Sequence, residues 1–244
     1  MPLRPIVRLG HPTLRSVAQA LPAGRLAEPA VQELIDDLIE TMRAARGVGL
    51  AAPQVGTSLQ VFVYELAPPQ AAPQPSPATP APPATPAPDA AAETPPPDPE
   101  RAAAAAIPLH VVVNPMLTPL TGELVYDWEG CLSIPDLRGL VPRHPAVRVR
   151  GLDRQGQPLD YVAQGFEARI IQHEYDHLNG VVFLDRMRDL KALAFREEWE
   201  RYMAAGAAEP PDPLDPLAHS SLPQAAQPEE PVLAAAHRGD PEVI

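Results

Sequence analysis

Apolar residues recur every three or four positions in three stretches of the chain, and this spacing predicts three amphipathic helices. The first helix is predicted over Pro29–Arg46 and ends before Gly47. The second is predicted over Gly165–Leu178, and the following Asn179-Gly180 is expected to end it in a left-handed backbone conformation. The third is predicted over residues 189–205. Its apolar side chains are expected in the core: Leu190, Leu193, Trp199, Tyr202 and Met203.

Shorter apolar runs between these helices predict β-strands. Leu59–Tyr64 and His110–Asn114 are compact apolar runs, and Ala146–Gly151 alternates apolar with charged residues. A turn at residues 153–157 then leads into a returning strand at Asp160–Ala163, which predicts a hairpin. The order of elements predicts an α+β fold, with antiparallel sheets around a central helix.

Proline changes this picture, because the chain of 244 residues contains 35 prolines. Fifteen lie between Pro68 and Pro108 and eight follow Gly206, in stretches without hydrophobic periodicity. Such segments cannot bury enough apolar surface to offset their ordering entropy. We therefore expect one catalytic domain over residues 1–205, interrupted by a disordered Pro/Ala-rich insert at 67–108 and followed by a disordered acidic tail at 206–244.

The formal net charge of −12 belongs mainly to these two segments. The insert carries −3 and the tail −6, which leaves −3 for the predicted domain. A nearly balanced domain gives no sign of a nucleic-acid-binding surface. No apolar run is long enough to span a bilayer, and the first residues lack the apolar core of a signal peptide. We expect a cytoplasmic protein without membrane contact.

The sequence His173-Glu174-Tyr175-Asp176-His177 lies on the second predicted helix. Histidines at positions i and i+4 face the same side of a helix, so both imidazoles can bind one metal ion. Glu174 lies beside the first histidine, where it can accept a proton from water without binding the metal itself. This pattern predicts a metal-dependent hydrolase.

Two histidines leave a metal site incomplete, and Cys131 is the only cysteine of the chain. A lone thiol is an inert core residue, a nucleophile or a metal ligand. Cys131 lies in Glu129-Gly130-Cys131-Leu132-Ser133, about forty residues before the predicted metal helix. A second small, apolar segment, Gly47-Val48-Gly49-Leu50-Ala51-Ala52-Pro53-Gln54, lies further upstream and ends in an amide.

These three segments, GVGLAAPQ, EGCLS and QHEYDHLNG, together resemble the three signature motifs of the peptide deformylase family, in the same order. The resemblance covers roughly residues 1–66 and 109–205. It implies an enzyme that hydrolyses the formyl group from the N-terminal N-formylmethionine of new polypeptides and releases formate. It also implies the fold of that family, with the HExxH helix at its centre.

The resemblance implies a metal site and a division of catalytic roles. Cys131, His173 and His177 would bind the metal, and Glu174 would act as the general base. The side-chain amide of Gln54 and the backbone N–H of Leu132 would stabilise the oxyanion together with the metal. Ligand softness alone favours zinc. The family uses Fe²⁺, one ion per chain, and Zn²⁺, Ni²⁺ or Co²⁺ can occupy the same site.

Matched positions also imply substrate contacts. Gly49 would pair with the peptide backbone as an added strand, and Arg138 would lie near the peptide. Arg169 stands where many members have an apolar residue, although its aliphatic stem could line a pocket. Arg143 and Asp176 match an ion pair behind the metal helix; the alternative is two solvated charges. The implied substrate-binding residues are Val48, Gly49, Glu129, Gly130, Arg138, Phe166, Arg169 and Ile170.

Family members act on nascent chains, so we expect N-formylmethionyl peptides as substrates, a transient contact with the ribosome, and a monomer. Two rival interpretations remain at this stage. A general HExxH endopeptidase would use a third acid or histidine downstream of His177 instead of Cys131. An interaction protein would use the Pro-rich insert to recruit a partner that binds polyproline helices, with the domain as a scaffold.

Overall fold

The computed structural model describes residues 3–66 and 106–203. All of these residues belong to one compact unit, which spans Met1–Ala207. The predicted acidic tail and almost all of the predicted insert lie outside the described residues. The predicted end of the insert is corrected, because a strand already begins at Ile107.

The described residues form eight β-strands and four α-helices, with short 3₁₀ turns between some of them. The strands are β1 Gly49–Ala51, β2 Val61–Leu66, β3 Ile107–Pro119, β4 Val125–Cys131, β5 Ile134–Arg143, β6 Ala146–Leu152, β7 Pro158–Gln164 and β8 Leu193–Phe195. The helices are α1 Pro29–Ala44, α2 Gly165–Leu178, α3 Phe183–Arg186 and α4 Arg196–Tyr202.

The strands form two antiparallel sheets, which confirms the predicted α+β class. The larger sheet has the order β1-β2-β3-β6-β7, and the smaller sheet has the order β4-β5-β8. Helix α2, which carries both histidines, spans the predicted residues 165–178. The predicted hairpin is present as β6 and β7, with Ala146 opposite Gln164 and Leu152 opposite Pro158.

The two long helices pack on opposite faces of the larger sheet. Residues Val61 and Val63 of β2 contact the apolar face of α1, whereas Phe62 and Tyr64 belong to the cluster that contains α2. Side chains alternate between the two faces of a strand, so β2 is buried on both sides. The sheet therefore fixes the position of α2 in the interior of the domain.

The predicted third helix is wrong over most of its length. Leu190–Ala192 is a 3₁₀ turn, and Leu193–Phe195 is strand β8, which pairs with Leu137–Gly139 at the edge of β5. The helix begins only at Arg196. Of its expected core residues Trp199 is buried, whereas Leu190 and Tyr202 are about 70% exposed. Unpaired backbone groups at the edge of β5 thus outweigh the helical spacing of the sequence.

Several predicted boundaries also shift. Helix α1 ends at Ala44, and the left-handed residue after it is Arg46 rather than Gly47. Strands β2 and β3 extend beyond the predicted runs to Leu66 and Pro119. The segment around Cys131 is the turn of the β4–β5 hairpin. Among the described residues, no helix is long and apolar enough to cross a membrane.

Strands β2 and β3 are antiparallel neighbours as far as the pair Leu66 and Ile107, so a short turn is sufficient to join them. We predict that replacing residues 71–105 with a four-residue Gly/Ser turn leaves cooperative unfolding intact, with a melting temperature within a few degrees of the full chain. Circular dichroism during heating measures this. Loss of the cooperative transition would contradict the prediction.

Candidate metal centre

Three potential ligands meet at the junction of α2 and the β4–β5 turn. The sulfur of Cys131 and one nitrogen each of His173 and His177 all lie within 4.8 Å of one another, and all three residues are buried. Cys131 Sγ is 3.3 Å from His177 Nε2. The helix places the two imidazoles one turn apart, and the hairpin turn brings the thiol to the same point. The structure thus assembles the predicted ligand set.

The orientation of His173 is fixed by Glu129. Nδ1 of His173 lies 2.8 Å from Oε2 of Glu129, so its other ring nitrogen, Nε2, is free to face the cluster. The ring also stacks on Phe183, with centroids 6.4 Å apart. Burial lowers the pKa of His177 well below its ordinary value, which keeps this imidazole neutral and able to bind a metal.

The donor set suits a transition metal of borderline softness. One thiolate and two imidazoles are ligands for zinc, iron, cobalt or nickel, whereas magnesium and calcium require oxygen. Three protein ligands leave a coordination position open, which is typical of catalytic rather than structural sites. The chemistry of these residues therefore fits a catalytic metal ion.

Glu174 lies beside this cluster and is 4% exposed. Its Oε2 atom has no hydrogen-bond partner among the described residues. Burial raises the pKa of Glu174 to about 7, which is suitable for a group that accepts and releases a proton near neutral pH. A Cβ atom on Gly49 would lie only 2.3 Å from Glu174 Oε1, so the carboxylate reaches its position because residue 49 is glycine.

Gln54 completes the polar wall of the site. Its Oε1 accepts a hydrogen bond from the Ala51 backbone N–H at 2.8 Å, which fixes the orientation of the amide. Its Nε2 consequently donates toward Cys131 Sγ at 3.6 Å and Ser133 Oγ at 3.3 Å. Leu132 lies between Cys131 and Ser133, in the turn that joins β4 to β5. Both residues expected to stabilise the oxyanion therefore lie next to the cysteine.

A buried network of charges lies behind the cluster. Arg143 contacts Glu129 at 2.9 Å and Asp176 at 2.5 Å, and each of these side chains is 5% exposed. Arg186 makes a second contact with Asp176. Burial alone would raise the pKa of Glu129, but Arg143 and His173 hold it well below its usual range. The expected ion pair of Arg143 and Asp176 is present, and the alternative of two solvated charges is wrong.

The residues expected around the substrate separate into an apolar group and a charged group. Val48, Phe166 and Ile170 belong to one apolar cluster, as expected for a side-chain pocket. Glu129 instead accepts hydrogen bonds from His173 and Arg143. Arg169 points its guanidinium at the same carboxylate. The side chains of Glu129 and Arg169 thus belong to the buried charge network behind the metal ligands.

Arg138 and Gly130 contact one another. A Cβ atom on Gly130 would overlap the Arg138 guanidinium, so this glycine allows the arginine to lie across the β4 backbone beside Cys131. Arg138 also lies 5.9 Å from the centroid of the Trp199 ring, at cation–π distance. Helix α4 therefore helps to define the position of Arg138.

Two contributors to the site escaped the sequence analysis. Ser133 is fully buried and accepts a hydrogen bond from Gln54, whereas the sequence shows it only as part of a motif. Phe183 stacks on His173 from helix α3, whose four residues are too few to show a periodic pattern. A buried serine beside a cysteine in a tight turn is a signal that could have indicated the first, because buried hydroxyls require partners.

Comparison with known proteins agrees with this geometry. The sequence profile of the family described as "Polypeptide deformylase" matches residues 3–193. The chain belongs to the polypeptide deformylase family. It is 36% identical over 195 residues to "Peptide deformylase 1" of Nitrosomonas europaea, a match that covers 80% of this chain and 93% of the relative. It is 38% identical over 192 residues to "Peptide deformylase 2" of Bordetella bronchiseptica, covering 79% and 92%.

Solved deformylase structures share the fold. A Met-Ala-Ser-bound class I type b peptide deformylase from Acinetobacter baumannii has a TM-score of 0.62 and 33% identity, covering 76% of this chain and 99% of that one. A peptide deformylase from Synechococcus elongatus in complex with actinonin has a TM-score of 0.58 and 32% identity, covering 78% and 81%. The family match places this chain among metallo-hydrolases.

We predict that Cys131→Ser weakens metal retention by at least about tenfold, because a neutral hydroxyl is a much poorer ligand than a thiolate. Elemental analysis after dialysis against a chelator measures the metal-to-protein ratio. Ser133→Ala is the matched control, since it changes the same turn without removing a ligand atom and should retain metal. An unchanged ratio in Cys131→Ser would show that the third ligand lies elsewhere.

Proposed function

We propose that this chain is a metal-dependent peptide deformylase, which hydrolyses the formyl group of N-formylmethionyl polypeptides and releases formate. The observation that carries the proposal is the buried cluster of Cys131, His173 and His177, whose ligand atoms lie within 4.8 Å of one another. Glu174 and Gln54 lie beside it with a carboxylate and an amide donor. This combination of groups is suited to hydrolysis of a linear amide.

We further propose Fe²⁺ as the resident metal, held by Cys131, His173 and His177, with Zn²⁺, Ni²⁺ or Co²⁺ as possible substitutes. The preference for iron rests on the family resemblance, because the donor set itself suits all four ions. When bound, the metal would act as a Lewis acid and make hydroxide available near neutral pH.

Glu174 moves the proton in this scheme. A pKa near 7 lets the carboxylate accept the proton of the attacking water and return it to the departing amine. Its Oε2 has no other partner among the described residues, so this oxygen is available to the reactants. Burial excludes bulk water, which would compete for the same proton.

Gln54 and Leu132 stabilise the charge that develops on the formyl oxygen. The Gln54 amide is held through its oxygen by Ala51, so its N–H groups stay directed toward the Cys131 side of the site. The backbone N–H of Leu132 supplies the second donor from the turn. A single donor of this kind typically contributes about 3 kcal/mol to lowering the barrier.

The substrate extends the larger sheet. Strand β1 is the last strand of this sheet among the described residues, so its outer edge can pair with an extended peptide at Gly49. The apolar residues Val48, Phe166 and Ile170 then receive the methionine side chain. Arg138 lies over Gly130, where it can contact the peptide backbone.

The rival functions fit the site less well. An endopeptidase with a third acid or histidine would leave the buried thiol of Cys131 unexplained, yet its sulfur contacts His177 directly. A scaffold that only recruits partners would have no need of a buried carboxylate beside a cluster of metal ligands. We therefore favour the deformylase over both alternatives.

Several finer points belong to the same proposal. Substrates are nascent chains, so we propose a transient contact with the ribosome in the cytoplasm. The ligand set is complete within one chain, which supports a monomer. The residual charge of −3 on the predicted domain supports the absence of direct nucleic-acid binding.

Formate release from formyl-Met-Ala-Ser, measured with the metal-loaded chain, tests the proposed activity. A deformylase releases stoichiometric formate and Met-Ala-Ser. An endopeptidase cleaves between the residues without releasing formate, and a scaffold does neither. Either of these last two results would refute the proposal.

We predict that Glu174→Gln retains its metal but loses at least about 100-fold in kcat for formyl hydrolysis, because the ligands remain while the proton carrier is removed. Elemental analysis and formate release are measured on the same preparation. Glu197→Gln, on the exposed face of α4, is the control and should match the unaltered chain. Near-normal turnover of Glu174→Gln at full metal content would exclude Glu174 as the base.

A further inference from the structure

Arg169 occupies an unusual place for an arginine. It lies in the interior of the domain, 6% exposed, one helical turn before His173 on the same side of α2. A buried arginine is rarely tolerated unless its guanidinium is paired with a negative charge and hydrogen-bonded. The partners of this guanidinium therefore indicate what the residue does.

The guanidinium of Arg169 connects the two elements that carry the metal ligands. Nη1 donates to Glu129 Oε1 at 2.9 Å and to the carbonyl oxygen of Val141 at 2.9 Å. Nη2 donates to the carbonyl oxygen of Val125 at 2.9 Å. Arg169 belongs to α2, whereas these partners belong to β4 and β5. One side chain thus holds the histidine helix against the cysteine hairpin.

The carboxylate of Glu129 makes four hydrogen bonds with three side chains. Arg143 donates to both of its oxygens, Arg169 donates to Oε1, and His173 Nδ1 lies 2.8 Å from Oε2. Arg143 cannot hold Glu129 alone with its full charge, because its guanidinium also contacts Asp176. Arg169 supplies an additional charge and hydrogen bond at Oε1, the carboxylate oxygen that His173 does not contact.

The charges of this network balance. Three carboxylates, Glu129, Asp176 and Asp127, contact three guanidinium groups, Arg143, Arg186 and Arg169. Removing Arg169 would leave one surplus negative charge in a buried region, where an unpaired charge is costly. Glu129 would then be held only by Arg143 and His173, and the acceptor of His173 Nδ1 would be less firmly oriented.

We propose that Arg169 is a positioning residue of the metal centre rather than part of the methionine pocket. By fixing Glu129, it fixes the acceptor of His173 Nδ1 and leaves Nε2 of that ring directed at Cys131 and His177. Its effect on catalysis passes through metal binding and ligand orientation, because its charged end contacts the supporting network and two backbone carbonyls. This inference rests on the proposed metal site.

The test compares Arg169→Met, Arg169→Lys and a control, Arg148→Met. The control removes an exposed arginine of β6 that pairs with Asp160 of β7. Each full-length chain is loaded with Co²⁺. The rate of metal release to a chelator and the visible spectrum of the bound Co²⁺ are recorded. Formate release from formyl-Met-Ala-Ser and from the formyl-norleucine and formyl-leucine analogues then gives kcat and KM.

We expect Arg169→Met to release metal about 10- to 100-fold faster than the unaltered chain, the range found when a residue that supports a metal ligand is removed. Its Co²⁺ spectrum should change, and kcat should fall while KM and the preference among first residues stay within twofold. Arg169→Lys should recover part of the loss, because it restores the charge but not the forked geometry. Arg148→Met should behave as the unaltered chain.

The opposite pattern would overturn the inference. If Arg169→Met keeps the metal-release rate and the spectrum but raises KM or changes the preference for the first side chain, Arg169 lines the pocket. If Arg169→Met does not fold, Arg169→Lys carries the same test, and normal metal release by that variant refutes the proposal. Failure of the unaltered chain to bind Co²⁺ at all would refute the proposed function instead.

Discussion

The contact between Glu129 and His173 is the interaction on which the rest of the site depends. It joins strand β4 to helix α2 and selects which nitrogen of His173 faces the cysteine. Arg143 contacts the buried Glu129 carboxylate as its counter-charge, and Arg169 donates a further hydrogen bond to the same group. The two sheets and the central helix can therefore be understood as a frame that keeps a small set of charges paired while it presents three ligands.

Packing supplies the rigidity that this arrangement needs. Strand β2 is buried on both faces, by α1 on one side and by the α2 cluster on the other. The metal helix cannot shift without disturbing a close-packed interior. Where side chains would obstruct the chemistry, the chain has glycine, as at Gly49 beneath Glu174 and Gly130 beneath Arg138. These glycines leave room for the Glu174 carboxylate and the Arg138 guanidinium.

Much of this could be predicted from the sequence, because the relevant signals are local. The bounds of α2 follow from its apolar spacing and the Asn179-Gly180 stop, and the two histidines share a face through helical geometry alone. The order of the three motifs, which matches that of the family, indicates Cys131 as the third ligand. The family resemblance added Gln54, and the structure places that residue beside the cysteine.

The features that the sequence does not reveal share one physical cause, which is that long-range contacts leave no periodic trace. The segment after Asp189 has helical spacing, but Leu193–Phe195 pairs with the edge of β5 at Leu137–Gly139, a distant segment of the chain. Arg169 occupies a position where many family members have an apolar residue, and only the fold reveals the carboxylate and carbonyl groups that satisfy it. The partners of Glu129 are likewise visible only in the fold, since they lie on β5 and α2.

The most direct test of this account is X-ray absorption spectroscopy of the zinc-loaded chain, which identifies the atoms bound to the metal without reference to activity. The account predicts one sulfur atom at about 2.3 Å and nitrogen or oxygen atoms at about 2.0–2.1 Å from the ion. A first coordination shell that contains no sulfur would contradict it, because Cys131 would then not belong to the metal centre.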